Sequence, residues 1–369
     1  MSRPRTRALA QLMAAAQREV DEGRTPACQL ALAINGELIA LEGFGAANDS
    51  TRFSAMSCTK EVVAATMLAL ISERSLTVEM PVVDLFPEFG TNGKHAVTVE
   101  QLQVHTAGFP DAPMGPDQWY ERGRRVEKMA TWRLQWAPGS RCRYHATSAQ
   151  WVLAEVIERI GGQDFRDQMH SRVTEPLGLP RIVGIEESEQ HDIADIVLVY
   201  EAAPAGDGSA RELPREITPA VLSRYNEPAV RSVGVPATGG FCTAADLALL
   251  YQALLHDRLN LWDPAARADI TTNIRCTRRD EALGVSGNRT LGLMVAGADD
   301  AFAVRGFGRA NSARAFGHGG VGGQTAWADP ETGLSFCYLT AGIGTDFAAR
   351  SRRSSALSDL ATACVTGLP

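Results

Sequence analysis

Lysine is almost missing from this chain. Only Lys60, Lys94 and Lys128 occur, so 33 of the 36 basic residues are arginine. Arginine serves wherever a permanent positive charge suffices, because the guanidinium keeps its proton. A lysine retained in such a chain marks a position where an amine that can lose its proton matters. Other absences exclude whole classes of function. No apolar run approaches the ~20 residues that cross a bilayer, so no membrane partner is expected. The net charge is −7 and the arginines are scattered, which argues against nucleic acid as a partner. There is no C-x-x-C and no H-E-x-x-H, and the seven histidines are dispersed, so neither a metal nor another cofactor is expected. The seven cysteines are odd in number and widely spaced, which fits reduced thiols in the cytoplasm. Arg3, Arg5 and Arg7 precede an alanine-rich stretch in the manner of a short signal peptide. Gln11 interrupts that stretch, and Leu9, Leu12, Met13, Ala16 and Val20 share a face at helical spacing. The better reading is an amphipathic helix and a cytoplasmic protein.

What is present is ordinary in bulk and informative in order. A chain of 369 residues with 45% apolar content allows two domains, or one with a large insertion. A helix is predicted over 6–22, then strands over 28–34 and 37–41. Asn35-Gly36 between them is a type I′ hairpin signal. From Ser57 to about Arg74 the apolar spacing turns helical. Helices are predicted again over 151–160 and 243–255, the latter capped by Thr243. Residues 201–236, rich in Pro, Gly and charge, read as an irregular excursion. Strands are predicted over 324–328 and 334–339, joined by a turn at 329–333, and a last helix over 347–365. Sheet-forming segments thus lie at both ends and helices between. The expected fold is α+β: an antiparallel sheet flanked by helices from both termini, with a mainly helical inserted domain. Residues 1–75 and 237–369 form the discontinuous sheet domain, residues 76–236 the helical one, and the active site lies between them.

Three segments carry chemistry. In Ser57-Cys58-Thr59-Lys60, residues i and i+3 share a helix face, which puts the Lys60 amine beside the Ser57 hydroxyl. A serine hydroxyl is a poor nucleophile until a base takes its proton, and a neutral lysine is such a base. Taken alone the four-residue pattern is weak, since Ser57 would also make an ordinary N-cap. Tyr144, between a loop and the next helix, is the second candidate, able to shuttle a proton as phenol or phenolate. The third is Gly317-His318-Gly319-Gly320-Val321-Gly322-Gly323. It matches G-x-G-x-x-G, but no βαβ unit follows, which rules out a dinucleotide site. Nor does the chain contain a G-x-S-x-G elbow. The glycines instead suit a strand edge that a substrate approaches closely. His105 reads as a hydrogen-bonded structural histidine.

In this order the three segments resemble the serine β-lactamase and penicillin-binding-protein superfamily, in particular its class C β-lactamase-like esterases. Ser57-x-x-Lys60 matches the family's first motif. Tyr144-His145-Ala146 falls where the family has Tyr-x-Asn. His318-Gly319-Gly320 falls where β-lactamases carry Lys-Thr-Gly and esterase-like members carry His-Gly-Gly. Segments 75–82, 102–108 and 175–179 match connecting stretches of the family. The resemblance implies Ser57 as nucleophile, Lys60 and Tyr144 as proton handlers, and an oxyanion hole from the backbone N–H groups of Ser57 and Val321. It places His318, Gly319, Gly320, His145 and Ala146 at the substrate.

Two departures matter. Ala146 lacks an amide, and His318 lacks the fixed charge that receives a β-lactam carboxylate. Both argue against strong β-lactamase or DD-peptidase activity and for hydrolysis of a small-molecule carboxylic ester. An acyltransferase would use the same acyl-enzyme and pass the acyl group to an alcohol or amine. The intact Ser57, Lys60 and Tyr144 argue against a catalytically inactive binding domain.

Overall fold

The computed structural model describes residues 6–199, 217–344 and 346–365. Residues 201–216 of the expected excursion lie outside that set. The helix expected first is present as α1, Thr6–Asp21. It leads into β1, Ala27–Ile34, and β2, Glu37–Gly45. Their hairpin turns on Asn35 and Gly36 at φ values of 51° and 73°, the left-handed pair that a type I′ turn needs. Further strands follow much later: β3 Met294–Val295, β4 Phe316–Gly319, β5 Thr325–Asp329 and β6 Leu334–Thr340. The spatial order is β2-β1-β6-β5-β4-β3, antiparallel throughout. The hairpin of one terminus therefore pairs with the last long strand of the other, Cys28 opposite Thr340 and Ile34 opposite Leu334.

Both faces of this sheet are covered, which explains why β1 and β6 are buried along their whole lengths. Alternate residues serve opposite faces. Cys28, Leu30, Leu32, Trp327, Phe336 and Tyr338 pack toward Leu12 and Ala16 of α1 and Leu357 and Ala361 of the C-terminal helix α5, Phe347–Ala363. On the other face Ala31, Ala33, Ala326, Cys337 and Leu339 meet α4, Ala244–His256, and α2, Lys60–Ser72. Small residues on that face let the helices approach closely. Helix α4 starts with the expected cap: the Thr243 hydroxyl accepts from the Asp246 N–H, and Asp246 answers to the Thr243 N–H.

The described part of the middle region consists of helices, turns and one short strand, Val197–Val199. Its longest helix is α3, Ser148–Gly161. One expectation needs correcting. Part of the supposed irregular excursion forms short helices, Pro219–Arg224 and Pro228–Val233. Each begins with proline at its first turn, where the missing N–H costs nothing; this proline signal favours helix starts as readily as loops. A single core cluster runs from the inner face of the sheet through α2 to α3. Helix α2 is thus buried almost throughout and rigidly placed, with Ser57 just ahead of its first turn.

Candidate active site

Ser57 does not sit in the α-helix itself. Met56–Thr59 form a tight 3₁₀ turn that feeds α2. Met56 takes a φ of 47°, rare for a side chain of its kind, so the backbone turns sharply just before the serine. Lys60 follows in the first α-helical turn, and its side chain is buried, at 1% exposure. Lys60 Nζ lies 3.3 Å from Ser57 Oγ and 3.0 Å from the Ala237 carbonyl oxygen. Tyr144 comes from the distant loop before α3, yet its hydroxyl lies 3.1 Å from Ser57 Oγ. Lys60 Nζ is also 5.1 Å from the centre of the Tyr144 ring. One hydroxyl, one amine and one phenol therefore share a single point. These contacts can reverse direction as a proton moves among the three atoms.

The glycine segment closes the other side. The Cys58 thiol reaches the His318 carbonyl oxygen at 3.4 Å, which ties β4 to the turn holding Ser57. A Cβ on Gly320 would stand 2.4 Å from Gln324 Oε1 and 3.0 Å from Met56 Cβ, so only glycine fits there. The loop is a fixed turn. The Gly320 N–H donates to the Gln324 carbonyl, and the Gly322 N–H donates to Gln324 Oε1. Among the described residues, the backbone N–H groups of Ser57 and Val321 have no hydrogen-bond partner. Both residues line one cavity of about 870 Å³. Free N–H groups beside a nucleophile are what a developing oxyanion requires.

Tyr144, Ala146, His318, Gly319 and Gly320 line that same cavity. His145 does not. It was expected at the substrate, but it is fully buried and faces the interior. Its Nε2 accepts from the Phe109 N–H at 3.1 Å, so its Nδ1 carries the proton and donates to the Arg143 carbonyl at 2.7 Å. Burial pushes it down to about 4. His105 is structural as expected: its Nδ1 accepts from the His145 N–H, and burial holds it neutral. His318 is also held neutral, first by burial and then by the nearby charges of Lys60 and Arg289. Its Nδ1 donates to the Gly319 carbonyl, which leaves Nε2 as a bare acceptor.

Two residues of the site carried no sequence signal. Asp280 accepts the backbone N–H of Tyr144 at 3.1 Å, across 136 positions of chain, and pairs with Arg289 at 3.0 Å. Arg289 backs the cavity wall with its guanidinium 5.1 Å from the Tyr144 ring centre. In a chain this rich in arginine, one more arginine is not conspicuous. The remaining wall is mixed: Ile217, Leu283, Met294, Ala303, Val304 and Val321 form its apolar part, while Arg143, Glu281, Arg305 and Arg350 bring charge. Among the described residues, no group of three His, Cys, Asp or Glu is placed to hold a metal ion, and no helix is long and apolar enough to cross a membrane.

A serine, a lysine and a tyrosine converging beside two free backbone N–H groups can support attack on an acyl carbon. The comparisons agree in kind. The sequence matches the Beta-lactamase family over residues 6–360, nearly the whole chain. This chain belongs to the β-lactamase family. Its relatives include the esterase/beta-lactamase LipL of Mycobacterium tuberculosis, 25% identical over 77% of this chain and 67% of LipL. Esterase EstB of Burkholderia gladioli is 28% identical over 79% of this chain and 78% of EstB. Among solved structures, a penicillin-binding-protein homologue from Caulobacter crescentus superposes with a TM-score of 0.78, 29% identity and 99% of each chain covered. The α+β fold is thus that of β-lactamases and penicillin-binding proteins. The chain is a serine hydrolase of the β-lactamase type, and ester hydrolysis is the activity its relatives support.

Proposed function

We propose that this chain hydrolyses small, largely uncharged carboxylic esters through an acyl-enzyme on Ser57. The observation that carries the reading is the convergence of Lys60 Nζ and the Tyr144 hydroxyl on Ser57 Oγ, at 3.3 and 3.1 Å. In the first step the Lys60–Tyr144 pair takes the Ser57 proton while Oγ bonds to the ester carbon. The carbonyl oxygen becomes an oxyanion against the N–H groups of Ser57 and Val321. Collapse expels the alcohol, which leaves with a proton from Tyr144. Water then repeats the sequence on the acyl-enzyme, with the same pair as base and then acid. Residues 1–75 and 237–369 supply the nucleophile and the glycine turn, residues 76–236 supply Tyr144, and the reaction occupies the cleft between them.

The choice of esters over β-lactams rests on what the cavity offers. His318 is neutral and presents a lone pair where a carboxylate would need a cation. Arg289 is charged, but it is 1% exposed and engaged by Asp280. Ala146 adds no polar anchor, and the apolar part of the wall, formed by Leu283, Met294, Val304 and Val321, suits an aliphatic acyl group. The name of LipL couples esterase with β-lactamase, so both activities should be measured. Brief exposure to an activated ester followed by intact-mass analysis and peptide mapping is expected to place one acyl group on Ser57. An adduct confined to another residue of the active enzyme would refute the assignment. Turnover of p-nitrophenyl butyrate should exceed that of nitrocefin by orders of magnitude; comparable rates would reverse the substrate reading.

A further inference from the structure

We infer that Arg289 is a positioning residue for the proton-handling pair: its buried guanidinium, held by Asp280, keeps a fixed positive charge against the Tyr144 ring. This rests on the reading of Lys60 and Tyr144 given above. Two cations face that ring at the same distance. Lys60 Nζ and Arg289 Cζ each lie 5.1 Å from its centre. Lys60 belongs to the reacting group, whereas Arg289 touches neither Ser57 nor the lysine in any described hydrogen bond. Its own satisfaction is poor. One nitrogen, Nη2, reaches Asp280 at 3.0 Å, while the buried Nε and Nη1 have no partner. A buried guanidinium with two idle nitrogens is costly to keep, and packing alone would be served better by an apolar side chain. The charge itself is what the position retains.

Asp280 explains how the charge is aimed. One carboxylate oxygen binds Arg289, and the other accepts the backbone N–H groups of Tyr144 and Ala282. The carboxylate thus fixes the start of the Tyr144 side chain and the guanidinium that faces its ring. Other groups near Tyr144 supply little positive charge. His105 meets the ring edge at 4.8 Å and His318 lies at 5.8 Å, and burial together with Lys60 and Arg289 keeps both neutral. Cys142 and Cys276 lie behind, at isolated bridges to Asp280 and Arg289 respectively. The Cys276 thiol is pushed down to about 6 by its hydrogen bond with Cys142 and by the nearby Arg278 and Arg289. Arg141 pairs with Glu281 at the exposed rim, and Arg143 with Asp111. Lys60 and Arg289 are therefore the cations that act on the phenol.

A fixed cation beside a coupled amine and phenol favours loss of their shared proton, whichever atom releases it. Arg289 should lower the pH at which the pair becomes a competent base. The experiment is the pH profile of kcat/KM for a p-nitrophenyl ester in Arg289→Gln, Arg289→Lys and Asp280→Asn, each checked for native circular dichroism. In Arg289→Gln the rising limb is expected to move up by about one pH unit, a magnitude reduced from the bare Coulomb value by the neighbouring Asp280. Arg289→Lys restores the charge and should return the limb most of the way. Asp280→Asn keeps an oxygen for the Tyr144 N–H but removes the opposing charge, so its limb should move down. This opposite shift tests the idea even if Arg289→Gln does not fold. Superimposable limbs in wild type and the folded variants, with Ser57 still acylated, overturn the role of Arg289 and leave the function intact. Absence of a Ser57 adduct in the wild type overturns the function first.

Discussion

At the scale of single residues, rarity was the useful signal, and it was only half reliable. Lys60 stands at Ser57, as its scarcity suggested. Lys94 is equally buried yet structural: its amine donates to the carbonyl oxygens of Thr91 and Trp132 in a cage of backbone acceptors. Burial pushes Lys94 down to about 8 without any reaction to serve. Spacing alone does not separate the two, because Thr91 stands three positions before Lys94 with its hydroxyl 3.3 Å from the amine. What sets Lys60 apart is that its hydroxyl partner, Ser57, also meets the Tyr144 hydroxyl and lines the cavity. The roles of Asp280 and Arg289 were invisible for the opposite reason: their types are common here, and their partner Tyr144 is remote in sequence. His145 was misplaced because a motif fixes which residues are adjacent and not which way each side chain faces. The base role of Lys60 has a direct test. Lys60→Arg keeps a positive charge but cannot accept the Ser57 proton. It should lose kcat on the order of 10⁴-fold, nearly as much as Lys60→Ala. Retention of most activity by a folded Lys60→Arg protein would make Lys60 an electrostatic residue only.

At the scale of elements, the strands and capped helices were legible because each had local chemistry. The Asn35-Gly36 turn, the Thr243 cap and the turn before β6 are short-range devices that specify themselves. The 3₁₀ turn at Met56–Thr59 was not legible, since the φ of 47° at Met56 has no local preference of methionine behind it. The pairing of β1 with β6 likewise depends on partners 300 or more positions apart. What locks that sheet to its C-terminal helix is visible at Trp327. The ring is fully buried against Phe336, and its Nε1 donates to Ser358 of α5 at 3.0 Å. Trp327→Ala leaves a large cavity in a central strand and removes the donor to the Ser358 hydroxyl, which keeps its own bond to the Ser354 carbonyl. A loss of about 3–5 kcal/mol is expected in chemical denaturation, with the slope unchanged. A loss below about 1 kcal/mol would show that α5 docks independently of this ring.

At the scale of the whole molecule, the buried histidines set how stability responds to acid. His105, His145 and His318 are all held below the ordinary histidine range, chiefly by burial. Each stays neutral in the folded state while the unfolded chain takes up a proton below about 6.5. The unfolded state then binds more protons, so stability rises with pH in this window and falls as pH drops. Their favourable contribution is complete above the unfolded value and is lost progressively below it. Glu61 acts in the opposite sense. It lies inside α2 with Oε1 accepting the Tyr251 hydroxyl at 2.5 Å, and burial pushes its carboxyl well above the ordinary range. Folding therefore keeps a proton on Glu61 that the unfolded chain releases, which costs stability as pH rises. Glu158 and Asp246 are raised in the same direction, but less. Between pH 5 and 6.5, three histidines oppose one strongly shifted carboxyl. The net grows from about half a proton at pH 6.5 to about two near pH 5, or from roughly 1 to roughly 3 kcal/mol per pH unit. Summed from pH 6.5 to pH 4 the loss is about 5 kcal/mol, comparable with the lower end of the usual stability of a fold, so resistance to denaturant should fall steeply below pH 6. Urea denaturation across pH 5 to 8 measures the slope directly. Glu61→Gln keeps an oxygen for Tyr251 and removes the opposing titration, so it should raise stability at pH 7 and steepen the acid loss. A stability that stays flat from pH 7 to pH 5 would mean that water reaches the three imidazoles and lets them charge inside the fold.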